Sequence, residues 1–209
     1  MMRVALLAAG ILLGSCGRGE GPGGAELARA LGLPDGVGQV CGDPQILGLE
    51  IDDIRGPGAC GIEDPVRLYA VGDVTLNPPA RVACGTAQAL SAWVKEGAQP
   101  AARAAGTRVE GLRVAASYAC RSRNNRRGAR LSEHAKGNAI DISAFRLSNG
   151  DTPSVGADWA RGPYSKMLRQ MHGAACGPFG TTLGPGSDGY HENHVHYDTA
   201  RYGFGTYCR

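Results

Sequence analysis

The sequence predicts an α+β domain, an antiparallel sheet with flanking helices, stapled by disulfides. Three observations carry this. Short apolar or alternating segments are mixed with only two or three helical patterns, no regular βαβ alternation links them, and no internal repeat divides the chain. Cysteines supply the staples. Beyond Cys16 the chain has Cys41, Cys60, Cys84, Cys120, Cys176 and Cys208, an even set.

Taken in order, residues 1–15 read as an export signal: Arg3, an apolar run over residues 4–13, then Gly14-Ser15. The run is far below the roughly 20 residues a spanning helix needs. Leu13-Gly14-Ser15-Cys16 resembles a bacterial lipobox, so a lipid anchor at Cys16 is expected, placing the chain on the periplasmic side of the envelope at the outer membrane. Residues 16–40 are rich in glycine and poor in large apolar side chains, as a flexible tether would be. The folded domain is expected over residues 41–209. In an oxidising compartment its six cysteines form three disulfides, out of fifteen possible pairings. Modest loops favour sequential pairing: Cys41 with Cys60, Cys84 with Cys120, Cys176 with Cys208. No CxxC pair occurs, which argues against cysteine as a metal ligand.

Within the domain, residues 67–76 alternate as a strand does, and Asn77-Pro78-Pro79 is expected to stop it. Residues 80–96 form the clearest helix. Val82, Ala83, Ala87, Leu90, Trp93 and Val94 make one apolar stripe, with Gly97 placed to end it. Trp93 therefore belongs to the core. Residues 100–105 read as a further helical turn, 112–118 as a strand and 121–131 as a polar loop with five arginines. A short apolar strand spans residues 139–143, and a second helix spans 158–172 with Gly173 behind it. Residues 179–183 form a strand, Gly184-Pro185-Gly186 a turn, and 194–198 the last strand.

The chemistry lies in two stretches, residues 134–141 and 191–196. They hold four of the chain's five histidines; only His172 lies elsewhere. On a strand His194 and His196 leave one face. Asp141 sits on the short strand of residues 139–143, and Gly137 lets the preceding turn bring His134 back beside it. His134, Asp141 and His196 are thus candidate ligands of one zinc ion, three donors with a fourth position free for water, the pattern of catalytic rather than structural zinc. Such an ion generates a nucleophile at neutral pH and polarises a scissile carbonyl, which suits amide hydrolysis. His194 is the first candidate for general base and acid, His191 the second, and Glu192 and Glu133 are rivals. Ser132 suits a turn cap. Arg121, fixed by its neighbour Cys120, is the candidate donor to a peptide carboxylate or developing oxyanion. Arg126, Arg127 and Arg130 read as solvated.

The formal charge is +3, and loss of Arg3 with the signal leaves +2. That small balance, with no aromatic residues interleaved among the arginines, excludes a nucleic-acid partner.

The stretch from Ser132 through His134, Gly137 and Ala139 to Asp141 resembles the SxHxxGxAxD motif of zinc D-Ala-D-Ala peptidases. His194-Val195-His196 resembles the HxH of the lysostaphin, D-Ala-D-Ala metallopeptidase and hedgehog superfamily. Over residues 41–209 the chain more closely resembles extensin-like C-terminal domain proteins, through Cys60-Gly61-Ile62, Ser117-Tyr118-Ala119-Cys120-Arg121, residues 132–141 and residues 184–198. The superfamily resemblance implies a hedgehog-like antiparallel sheet, zinc on His134, Asp141 and His196, proton handling by His194, a further active-site histidine at His191, and cleavage of peptidoglycan stem peptides or cross-links. Arg121 departs from the superfamily spacing, because Ala119-Cys120 intervene after Tyr118. A noncatalytic, zinc-stabilised wall-binding or scaffold lipoprotein is the alternative, since fold similarity does not establish chemistry.

Overall fold

The computed structural model describes residues 23–203 and 205–209. The expected signal and Cys16 lie outside these. Among the described residues no helix is long and apolar enough to cross a membrane.

The strands are β1 (Gly38–Val40), β2 (Asp43–Glu50), β3 (Ile54–Arg55), β4 (Gly61–Ile62), β5 (Pro65–Val71), β6 (Val74–Ala83), β7 (Val109–Ala116), β8 (Ala139–Leu147), β9 (Thr181–Leu183), β10 (Val195–Asp198) and β11 (Tyr207–Cys208). Nine of them make one sheet in the order β1-β2-β5-β6-β7-β8-β10-β9-β11, while β3 and β4 pair as a separate ribbon. The helices are α1 (Gly24–Ala30), α2 (Cys84–Trp93), α3 (Gln99–Ala104), α4 (Val155–Asp158) and α5 (Ser165–Gly173). The α+β class is as expected. The sheet is mixed rather than purely antiparallel, because β6 with β7 and β9 with β11 run parallel.

Strand alternation sends Ile140 and Ile142 of β8 and Val195 and Tyr197 of β10 into the main core, with Trp93, Leu90, Met167 and Phe179. The residues between them, Asp141 and His196, therefore leave the opposite face. Trp93 is fully buried, packs edge-on against Tyr197, and donates its indole N–H to the Met171 carbonyl at 2.8 Å. A smaller cluster of Ala28, Val37, Leu47 and Ala70 holds α1 against the other side of β2 and β5.

Several expectations are corrected. The tether reading of residues 16–40 fails from Gly24 onward, where α1 and β1 form and Ala28, Val37 and Val40 are buried. The strand at 67–76 is a hairpin: β5 and β6 meet across Gly72-Asp73, and β6 runs on through Pro78 and Pro79. The prolines are tolerated because the β5–β6 ladder is irregular between Leu68 and Ala70, where no proline N–H is needed. Gly97 does not end the helix; a π-helical stretch, Val94–Ala98, carries the chain into α3. A Cβ at Gly97 would lie 2.7 Å from the Ala174 Cβ, so close approach of the α5 end explains the glycine. The helix expected at 158–172 forms only from Ser165, as α5; Asp158 ends the short α4, and turns around Gly162, where φ is +107°, separate the two.

The disulfides are Cys41–Cys84, Cys60–Cys120 and Cys176–Cys208, so only the last sequential pairing stands. Each doubling of a loop costs only about 0.6 kcal/mol of closure entropy. Topology decides instead: the turn into β2 lies near the start of α2, and the β3–β4 ribbon lies near the chain leaving β7.

His172 on α5 packs between Trp159 and Tyr197 and donates Nε2–H to the Arg209 carbonyl at 2.9 Å. Burial holds its pKa below the usual 6.5, outweighing that hydrogen bond. As pH falls through 6.5 the unfolded chain takes up a proton before the folded one, so stability present above pH 6.5 declines on acidification. Urea unfolding of the native chain and of His172→Phe at pH 8 and pH 5.5 checks this. The native chain's stability relative to the variant is expected to be greater at pH 8, and an equal difference at both values would contradict it.

Candidate metal centre

Three elements bring the site together. Asp141 and His196 face each other directly across β8 and β10. His134 comes from a 3-10 turn, Glu133–Lys136, that Ser132 caps by accepting the His134 backbone N–H at 3.4 Å. Gly137 closes that turn at φ +68°, and a Cβ there would lie 2.4 Å from Ile62 Cδ1 and 2.9 Å from Ala83 N. Only glycine fits both constraints.

His134, Asp141 and His196 are all buried and place one donor atom each within 4.8 Å of one another. His134 Nδ1–H donates to the Ser117 carbonyl at 2.7 Å, which leaves Nε2 without a proton in the neutral ring. His196 Nε2–H donates to Asp198 Oδ2 at 3.0 Å, which leaves its Nδ1 without a proton in the neutral ring. These two nitrogens are 3.2 Å apart, and they lie 3.2 Å and 2.8 Å from Asp141 Oδ1. Three potential donor atoms thus converge on one point.

The titration behaviour has the same origin. Burial alone would raise the Asp141 carboxyl, yet hydrogen bonds and charge from His134 and His196 hold it well below the usual carboxylate range. Burial alone would lower His196, yet Asp141 and Asp198 push it up to about 9.

His134 and His196 line a cleft of about 500 Å³ together with Arg121, Arg123, Arg130, Asp188 and His191. His191 Nδ1–H donates to Asp188 Oδ1 at 2.7 Å, and its ring centroid lies 5.5 Å from that of His196. His194 precedes β10; its Nδ1 is 2.9 Å from Asn193 Oδ1 and its Nε2 3.7 Å from Asp141 Oδ2. Burial lowers its pKa against the pull of Asp141. Arg121 is half-buried at the cleft, and its carbonyl accepts the Ser132 N–H at 3.0 Å. Its neighbour Cys120 is held as expected, but by Cys60 rather than Cys84.

The rival bases are otherwise engaged. Glu192 is exposed and accepts the Gly186 N–H at 3.1 Å. Glu133 is buried at the cleft, where Asn138 donates to it at 2.9 Å and Arg123 and Lys136 lie within 3.7 Å and 3.5 Å. Arg126, Arg127 and Arg130 are exposed as expected, and Arg130 also lines the cleft. Sequence reasoning missed Asp198 and Asp188. The two-residue period through His194 and His196 reaches Asp198 and was the available signal; Asp188 sits in a loop and had none.

Fold and site together define an α+β domain whose sheet places a buried His-Asp-His cluster beside a cleft. The chain belongs to the family described as extensin-like protein C-terminus, whose model matches residues 45–209. No curated protein and no solved structure matches the chain.

Proposed function

We propose that the chain hydrolyses peptide bonds in peptidoglycan stem peptides or cross-links, using zinc held by His134, Asp141 and His196. The observation that carries this reading is the convergence of two imidazoles and a carboxylate, one donor atom from each, beside a cleft. The donor set fits the ion. Zinc–nitrogen bonds of about 2.0–2.1 Å give tetrahedral edges of about 3.3 Å, near the 2.8–3.2 Å separations among these atoms. Both imidazoles already donate their other N–H to oxygen, the usual orientation of metal-bound histidine. When bound, zinc supplies a Lewis acid for the scissile carbonyl and acidifies water to a pKa near 7.

The chain's own residues supply the rest. His191, with Nδ1–H committed to Asp188, keeps Nε2 free to take a proton from water and return it to the leaving amine. His194, beside the second oxygen of Asp141, is the other candidate for that transfer. Arg121 offers a planar pair of donors to a carbonyl oxygen or peptide carboxylate. The likeness of residues 132–141 and 194–196 to zinc D-Ala-D-Ala peptidase motifs supports the same chemistry. The signal and the lipobox-like Cys16 support a lipid-anchored, periplasmic location at the outer membrane, where the substrate lies.

Digestion of muropeptides by the zinc-loaded chain, followed by mass spectrometry, tests the reading. New amine termini are expected, and their absence would refute it. Zinc retained without cleavage would favour the noncatalytic wall-binding or scaffold lipoprotein. His191→Ala is expected to lower kcat by about 10²–10⁴-fold with zinc content unchanged. Asp198→Asn is expected to weaken zinc binding by about 10–100-fold in a chelator competition titration. Unchanged affinity would mean that Asp198 does not orient His196.

A further inference from the structure

We infer that the rim of the cleft binds sugar rings, so that the peptide reaching the metal end is carried on a glycan. The inference deepens the peptidase reading and takes from it only that a peptide occupies the cleft floor. Among the described residues the exposed large hydrophobic side chains are Tyr190, Tyr202 and Tyr207, with exposures of 53%, 39% and 47%. All three belong to the cleft region. Tyr202 and Tyr207 line the cleft from the C-terminal segment, and Tyr190 immediately precedes His191 on the loop that supplies Asp188.

The chemistry of this rim favours a sugar over a lipid. A lipid contact surface would expose leucine, isoleucine, phenylalanine or methionine, and none of these is exposed to that degree among the described residues. A phenol ring pairs an apolar face with a polar edge, as a pyranose pairs a C–H face with hydroxyls. Arg123 lies over the Tyr202 ring and Arg209 over the Tyr207 ring, with their Cζ atoms 5.4 Å and 5.2 Å from the centroids. Each guanidinium steadies its ring, and both rings remain partly exposed. Asn124 and Thr206 also line the cleft and offer partners for sugar hydroxyls.

The C-terminal wall is firmly placed. Tyr207 N–H donates to the Gly180 carbonyl at 2.7 Å, Arg209 N–H donates to the Thr182 carbonyl at 2.9 Å, and Cys208 is bonded to Cys176. Stacking on a held ring avoids the entropy of ordering it at the moment of binding.

The test titrates a soluble tetrasaccharide of β-1,4-linked N-acetylglucosamine into the full chain, read by NMR of labelled tyrosine rings. Saturable shifts are expected. The double variant Tyr202→Ala, Tyr207→Ala should bind roughly three- to tenfold more weakly, whereas Tyr202→Phe, Tyr207→Phe should retain binding. Unchanged circular dichroism and zinc content would confirm that both variants fold. No saturable shift, or affinity that the alanine variant leaves intact, would overturn the inference. The muropeptide digest separates the two claims. Cleavage without tetrasaccharide binding defeats the sugar rim alone, and tetrasaccharide binding without cleavage defeats the peptidase reading alone.

Discussion

Asp141→Ala is expected to remove zinc from the protein. After dialysis the native chain should retain about one zinc per molecule and the variant almost none, with affinity lower by more than about 100-fold, beyond the range for loss of a residue that merely orients a ligand. The carboxylate is the negative partner of two bare imidazole nitrogens, 2.8 Å from His196 and 3.2 Å from His134. Without it those nitrogens face each other at 3.2 Å with no anion between them. Asp141→Asn is the stricter version, because the amide keeps the shape and removes only the charge. Metal analysis of both variants, alongside their circular dichroism, checks the expectation. A folded Asp141→Asn protein that keeps its zinc would contradict it.

Cys60→Ser with Cys120→Ser is expected to destabilise the domain by about 4 kcal/mol in the chain-entropy model, for a sequence separation of 60. For a chain of this size that is a fall in Tm of roughly 8–16 °C. A second consequence follows from where the bond sits. Close to Cys120, the Ser117 carbonyl orients His134, and the Arg121 carbonyl anchors the Ser132 cap. Loosening this segment is therefore expected to weaken metal binding as well. Thermal melts and zinc titrations under non-reducing conditions test both effects. A Tm within about 2 °C of native would contradict the stability estimate.

The site was more legible in the sequence than the fold around it. A two-residue histidine period and a glycine before a short apolar strand are local patterns, and strand alternation converts them directly into side chains on one face. Asp141 and His196 meet for that reason. The same period reaches Asp198, whose role became visible only when His196 Nε2 was placed against it. Other features depend on what lies far away in the chain. Gly97 resembles a helix terminator in sequence, yet its lack of a side chain admits Ala174. Pro78 and Pro79 resemble a strand breaker, yet the ladder irregularity beside them removes the need for their N–H groups. Cys41 and Cys60 are near neighbours in sequence, but the sheet order carries them to Cys84 and Cys120. The glycine-rich start concealed α1, whose few apolar residues suffice because Leu47 and Ala70 complete their cluster.

Whether His134, Asp141 and His196 hold one divalent ion is decided by an anomalous-scattering map of zinc-grown crystals at the zinc edge. A single strong peak is predicted about 2.0–2.2 Å from His134 Nε2, His196 Nδ1 and an Asp141 carboxylate oxygen. A peak bound elsewhere, or none at a site whose three side chains are well ordered, would contradict it.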